Sequence, residues 1–171
     1  MYPRLFKIGL RSSEIVEPMD ISIILPNLFV GPSPQSPRDI DRLKRDHKIS
    51  ALLNVQTDDD MAYWGIDWHT LETHYRKLNI EVQRIPVRDF DPEDLRRRLP
   101  QCVEALDALL KQGHNVYVHC SMGINRSPSI VIAYLTWIKG WDLEEAYDHV
   151  TRIRSCDPYV EAIRLASEDR G

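Results

Sequence analysis

Cysteine is scarce in this chain: three in 171 residues, Cys102, Cys120 and Cys156, forming neither an even set nor a Cys-X-X-Cys pair. That spacing argues against a disulfide-stapled secreted scaffold and against a structural zinc site, so any thiol chemistry belongs to one residue acting alone. Long apolar runs are missing too. The longest clean stretch, Ile21 to Val30, is broken by Ser22, Pro26 and Asn27, well short of the roughly 18 residues that a membrane span needs. Nor is there an excess of positive charge. A net charge of -4 excludes a long-range field that gathers nucleic acid or an acidic membrane, and an anionic substrate must therefore be held by a local site.

What is present is the composition of one ordinary globular domain, 43% hydrophobic and long enough for a real core. No repeat or low-complexity tract suggests a second domain. Residues 1–20 read as an N-terminal extension and 21–171 as the domain, acting as a monomer. The opening Met1 to Ser13 carries Arg4, Lys7 and Arg11 with no acid, yet has neither the apolar stretch nor the small-residue cleavage site of a targeting peptide. The expected compartment is cytoplasmic, or an organelle if that segment is a transit remnant.

Short β-type runs occur at Leu28 to Val30, Ala51 to Val55, Val82 to Val87 and Val116 to His119, with a weaker one at Ile21 to Leu25. Helical grammar lies between and after them. Ser36-Pro37-Arg38-Asp39 and Asp91-Pro92-Glu93-Asp94 each place a capping residue before proline and an acid in the first turn. The second opens a helix carrying Leu95, Leu99, Val103, Leu106 and Leu110 up to Gly113. Ile130 to Ile138, Leu143 to Val150 and a segment holding Ala162, Ile163 and Leu165 continue the pattern. Strands alternating with helices predict an α/β fold, a central, mostly parallel sheet flanked by helices.

The chemistry concentrates where the Val116–His119 strand runs through a short loop, Cys120-Ser121-Met122-Gly123-Ile124-Asn125-Arg126, into a helix that starts at Ser127 with Pro128 in its first turn. Such a loop can turn the backbone N–H groups of Ser121 to Arg126 inward, and the helix adds the positive end of its dipole, making a cup for an oxyanion. Gly123 supplies freedom at positive φ, and Arg126 can close the cup with a planar fork of donors. Cys120 is then the nucleophile, its thiolate favoured beside a guanidinium and a helix N-terminus. Full ionisation of an ordinary thiol gains only about thirtyfold, roughly 2 kcal/mol. Most acceleration must come from the loop donors, Arg126 and a general acid. A buried core cysteine explains neither the glycine three residues on nor the arginine six residues on. His119 reads as orienting the loop; Ser127 reads either as a helix cap or as a hydroxyl that stabilises the departing thiolate.

Between strand and helix, Arg88-Asp89-Phe90-Asp91 offers two acids. Asp91 has the position of a helix cap, which leaves Asp89 as the proton donor. Asp94 complements the helix dipole, Asp58-Asp59-Asp60 reads as a solvated loop, and Arg96-Arg97-Arg98 reads as a solvated helix face. Phosphoryl transfer by this route needs no metal or other cofactor.

Cys120 to Arg126 is the Cys-X5-Arg signature of protein tyrosine phosphatases, and with Asp89 and the small size the chain resembles the dual-specificity branch. Within it, Asn27-Leu28-Phe29-Val30-Gly31, Tyr63-Trp64-Gly65-Ile66-Asp67, Arg88-Asp89-Phe90-Asp91 with Leu95-Arg96, and Arg154-Ser155-Cys156 are similar to plant glucan phosphatases. The resemblance implies hydrolysis of a phosphomonoester through a phosphocysteine, with Phe90 and Tyr63 lining a sugar cleft. The implied substrate is a phosphoglucan or a phosphoprotein; Ser127 is what protein-directed members carry. The alternatives are a phosphoinositide-type lipid phosphatase, a catalytically silent phosphate-binding module, and a rhodanese-like sulfurtransferase, whose loop is one residue shorter before the arginine.

Overall fold

The computed structural model describes residues 18–171; the basic stretch Met1 to Ser13 lies outside the described residues. Five strands, β1 (Ser22–Leu25), β2 (Leu28–Gly31), β3 (Ala51–Asn54), β4 (Glu81–Arg84) and β5 (Val116–His119), form one sheet in the order β1-β2-β5-β3-β4. Only the edge pair β1–β2 is antiparallel; the other three pairings are parallel, as the alternation of strands and helices predicts.

Each central strand buries both faces, so side chains alternate between two cores. Leu28 and Val30, Ala51 and Leu53, and Val116 and Val118 pack on one side, against α4 (Pro92–Lys111), α5 (Arg126–Trp137), α6 (Leu143–Ile153) and α7 (Val160–Asp169). Phe29, Leu52 and Tyr117 pack on the other, against α1 (Pro37–His47) and α3 (Trp68–Lys77). Helix α5 is buried continuously from Arg126 to Leu135, which is why no charged residue follows Arg126 along it and Ile130 to Ala133 is an unbroken apolar run.

The register fixes where the site must be. Gly31 and Asn54 both pair with His119, so three parallel strands end level with one another, and Cys120 emerges at their carboxyl edge. Open parallel sheets hold their ligands there.

The structure departs from the sequence reading in several elements, among them helix α3, for which the sequence reading named no segment, and α5, which starts at Arg126 rather than Ser127. The acidic run is not a loop: Asp58–Trp64 forms helix α2, with a reciprocal capping box between Thr57 and Asp60. Strand β4 stops at Arg84, and Ile85 and Val87 continue with single bonds to the carbonyls of Asn54 and Val55. In α7 the buried residues are Ala162, Ile163 and Ala166, with Leu165 only half-buried, because Ala166 stacks one helical turn above Ala162.

Candidate active site

Loop 120–125 is pinned from behind. Arg154, itself buried, donates from Nε to the Gly123 carbonyl (2.6 Å) and from Nη2 to that of Met122 (3.2 Å). Its Nη1 reaches the Asp20 carbonyl at 2.7 Å, which ties the loop to the segment before β1. The Ser33 N–H donates to the Ser121 carbonyl (3.0 Å) and the Asp157 N–H to that of Ile124 (2.8 Å). Four successive carbonyls are thus drawn outward, which turns the intervening N–H groups toward the concave side, the nest geometry for an oxyanion. Asn125 is fastened by its side chain to the Asp157 carbonyl at 2.7 Å. The side chains of Met122 and Ile124 are exposed at the rim. Gly123 has φ +69, and a Cβ there would lie 2.6 Å from the Gly31 carbonyl and 2.7 Å from Arg154 Nη2.

Cys120 is buried at the bottom of this curl, its Sγ 3.3 Å from Ser127 Oγ. Helix α5 begins at Arg126 with Asn125 in the cap position and no side-chain capping bond. Ser127 therefore lies inside the first turn and is not a cap, which leaves its hydroxyl to the thiol. The other thiols are unsuited to ionise: burial pushes Cys102 up to about 12 and raises Cys156 as well. His119 is held neutral, because burial lowers its pKa from 6.5 to about 4. Its Nδ1–H donates to the Cys120 carbonyl at 2.9 Å, so Nε2 is the unprotonated nitrogen, buried with no hydrogen-bond partner.

Arg126 is 1% exposed and almost fully engaged. Nη1 donates to Asp60 Oδ2 and to the Val87 carbonyl, each at 2.7 Å. Nη2 faces Asp89 Oδ2 at 3.2 Å and Ser121 Oγ at 3.4 Å, and Gln56 Nε2 donates to that same hydroxyl at 3.1 Å. Nε is buried without a partner, a donor held in place for something the protein does not supply. The Asp60 contact is the residue that sequence reasoning missed. In the capping box Asp60 accepts from the Thr57 N–H at 2.9 Å; it thereby couples the start of α2 to the arginine. A Thr-X-X-Asp capping signature was the available signal.

Asp91 accepts from the Asp94 N–H as a helix cap, whereas Asp89 accepts from the Phe90 N–H at 3.1 Å through Oδ1 and faces Arg126 with Oδ2. Asp94 does more than complement a dipole: it is buried and accepts from the Arg88 N–H at 2.8 Å and from Arg97 at 3.0 Å. Asp89 opens onto a cleft of about 300 Å³ lined also by Asp60, Tyr63, Trp64, Phe90 and Ser121. Tyr63 and Phe90 are 69% and 67% exposed, so neither is a core residue. Phe90 is also held at φ +57, a conformation that costs a bulky residue strain and is met mostly at functional positions. Among the described residues, no group of three His, Cys, Asp or Glu side chains is arranged to hold a metal ion.

Residues 28–161 match the family model "Dual specificity phosphatase, catalytic domain". The chain is 36% identical over 154 residues to the amyloplastic phosphoglucan phosphatase DSP4 of Castanea sativa, covering 88% of this chain and 40% of that protein. It is also 36% identical over 162 residues to the chloroplastic phosphoglucan phosphatase LSF1 of Arabidopsis thaliana, covering 95% of this chain and 26% of that one. The chain thus spans well under half the length of these relatives. The crystal structure of PTPMT1 superposes with a TM-score of 0.72 at 22% identity, covering 87% of this chain and 94% of that one, a likeness of fold alone. The chain belongs to the dual specificity phosphatase catalytic-domain family.

Proposed function

We propose that residues 21–171 act as a cysteine-dependent phosphomonoester hydrolase on phosphorylated glucan. The observation that carries this reading is the convergence at the end of β5 of a thiol, a fully buried arginine with an unpaired Nε, and a carboxyl group. Cys120 Sγ lies beneath the cup, and Arg126 and Asp89 stand 3.2 Å apart at its mouth. A silent phosphate-binding module has no use for all three.

In the proposed first step the Cys120 thiolate attacks phosphorus, the ester P–O bond breaks, and the leaving oxygen takes its proton from the Asp89 carboxylic acid. In the second, the Asp89 carboxylate takes a proton from water as the water oxygen attacks phosphorus. The P–S bond breaks and the electron pair returns to sulfur, where the Ser127 hydroxyl at 3.3 Å donates to the departing thiolate. Arg126 Nε and the inward N–H groups carry the equatorial oxygens through both steps. Such preorganised donors supply about 2.7–4 kcal/mol each, and the acid about 10² to 10⁴ in rate. No step requires a metal.

Glucan is favoured over protein by the two exposed aromatic rings at the cleft, Tyr63 and Phe90, since flat apolar faces with little conformational freedom suit sugar rings. The names of both 36% relatives agree with this choice. Their amyloplastic and chloroplastic labels also make a plastid the compartment to test first. The second reading is a phosphoprotein substrate, favoured by Ser127 beside the thiol.

The test is phosphate release from phosphorylated amylopectin and from phosphotyrosine and phosphothreonine peptides at matched phosphate, with Cys120→Ser and Asp89→Asn alongside. Faster release from amylopectin supports the reading, and Phe90→Ala should then lower the ratio of amylopectin to peptide activity. Faster release from peptide moves the substrate to protein, and release that survives Cys120→Ser sinks the mechanism.

A further inference from the structure

The three consecutive arginines of α4 do not share one solvated face. Arg96 turns to α7 and is satisfied there, donating from Nε and Nη2 to the Asp169 carboxylate at 2.7 and 2.8 Å. Arg97 and Arg98, together with Arg88, Thr57 and Gln101, line a cleft of about 700 Å³. The arginine side chains are 64% (Arg97), 50% (Arg98) and 64% (Arg88) exposed.

Their counter-charge is insufficient. A single buried carboxylate, Asp94, serves all three, at 3.0 Å from Arg97 but 3.9 Å from both Arg98 and Arg88. Asp91 adds one more contact, 3.4 Å from Arg88. The pair at 3.9 Å for Arg98 is beyond hydrogen-bond reach. Three guanidinium groups against two carboxylates leave a positive cleft in a chain of net charge -4. Asp94 sits at the base and accepts from the Arg88 backbone as well, so it spaces the arginines apart while their outer donors stay free. Guanidinium forks around a concave surface are matched to the tetrahedral oxygens of a phosphate group.

The cleft adjoins the catalytic one through two chain segments. Thr57 caps the helix that carries Asp60 to Arg126, and Arg88 immediately precedes Asp89. Resting on the phosphoglucan reading above, we propose that Arg88, Arg97 and Arg98 form a second anion site, which takes another phosphate monoester of the same glucan while the scissile one lies over Cys120. The site makes the enzyme selective for glucan segments that carry clustered phosphates.

Binding of maltooligosaccharides bearing one or two phosphates is measured calorimetrically on Cys120→Ser protein, where turnover is blocked. The bisphosphorylated compound should bind about tenfold more tightly, the order for two guanidinium contacts to an exposed phosphate, and added salt should erode the preference. Adding Arg97→Gln and Arg98→Gln together should bring the two affinities within twofold of each other, whereas Arg96→Gln should preserve the preference. If the double variant melts early, Arg98→Gln alone, whose single partner is distant, should still halve it. Equal binding of both compounds to the parent, a preference that survives the double variant, or its equal loss in Arg96→Gln overturns the proposal. So does an arginine-dependent preference seen only with singly and doubly phosphorylated peptides. Turnover of the monophosphorylated compound by the Cys120 protein is scored separately: its absence beside an intact binding preference sinks the catalytic reading and leaves the second site standing.

Discussion

Asp60→Asn tests whether the arginine of the cup depends on the helix beside it. Removing one partner of a buried ion pair costs on the order of 3–5 kcal/mol when the other charge is left bare. Arg126 is not left bare, because the Val87 carbonyl holds Nη1 at 2.7 Å and Asp89 faces Nη2 at 3.2 Å. Asparagine also keeps one acceptor oxygen. The loss shrinks to that of one charge-assisted hydrogen bond, about 1.5–3 kcal/mol, which for a chain of this size lowers Tm by about 3–12 °C. The kinetic effect is larger in proportion, since a displacement of about 1 Å in a group that orients the reacting atoms costs about 10² in rate. We expect kcat to fall about 10- to 100-fold on a small phosphomonoester. KM should stay level or fall, because loss of a carboxylate raises the positive potential of the cup. Steady-state kinetics and a thermal melt give both numbers, and a variant within twofold in kcat and about 1 °C in Tm refutes the anchoring role.

Asp89→Asn should have a mixed sign: inorganic phosphate binds severalfold more tightly once the carboxylate no longer competes for Arg126 Nη2, while kcat falls by about 10² to 10⁴. Titration of phosphate beside turnover checks both. Gly123→Ala places a methyl group 2.6 Å from the Gly31 carbonyl at a residue with φ +69, and should cost about 2–4 kcal/mol in denaturant unfolding together with most activity. Ser127→Ala should slow breakdown of the phosphocysteine more than its formation, giving a burst of product before a steady state about tenfold slower; a single linear phase of unchanged slope refutes it. Lowering the pH should destabilise the fold through His119. Its pKa is about 4 in the folded protein against 6.5 for a free ring, so between those values the unfolded chain takes up a proton that the buried ring refuses. Its contribution is complete above pH 6.5 and is lost as pH falls to 4, on the order of 3 kcal/mol in all. His119→Gln should flatten the slope of stability against pH across that window.

Much of this molecule is legible in the sequence because the signals are local. A strand, a loop with glycine and arginine at fixed offsets, and a helix start all occur within thirteen residues from Val116 to Pro128, and the structure assembles them as one strand–loop–helix unit. Asp89 could be separated from Asp91 because capping grammar is also local. What was not legible depends on distance along the chain. The Thr57-to-Asp60 capping signature marks a helix start, but it does not tell an acid facing water from one facing a guanidinium 66 residues away. Three adjacent aspartates read as solvated, and the two that are solvated mask the third. The arginine triplet was read as a solvated face, which holds for the exposed Arg97 and Arg98 but not for Arg96. Composition treats Arg96, Arg97 and Arg98 as equivalent, but successive helical residues point about 100° apart, so their roles follow from what each direction meets. Arg96 meets a carboxylate at the far end of α7, while Arg97 and Arg98 line an open cleft together with Arg88. Charge patterning along a sequence thus reports that a helix has a polar side, and only the packed neighbours decide which charges are neutralised and which remain available to a ligand.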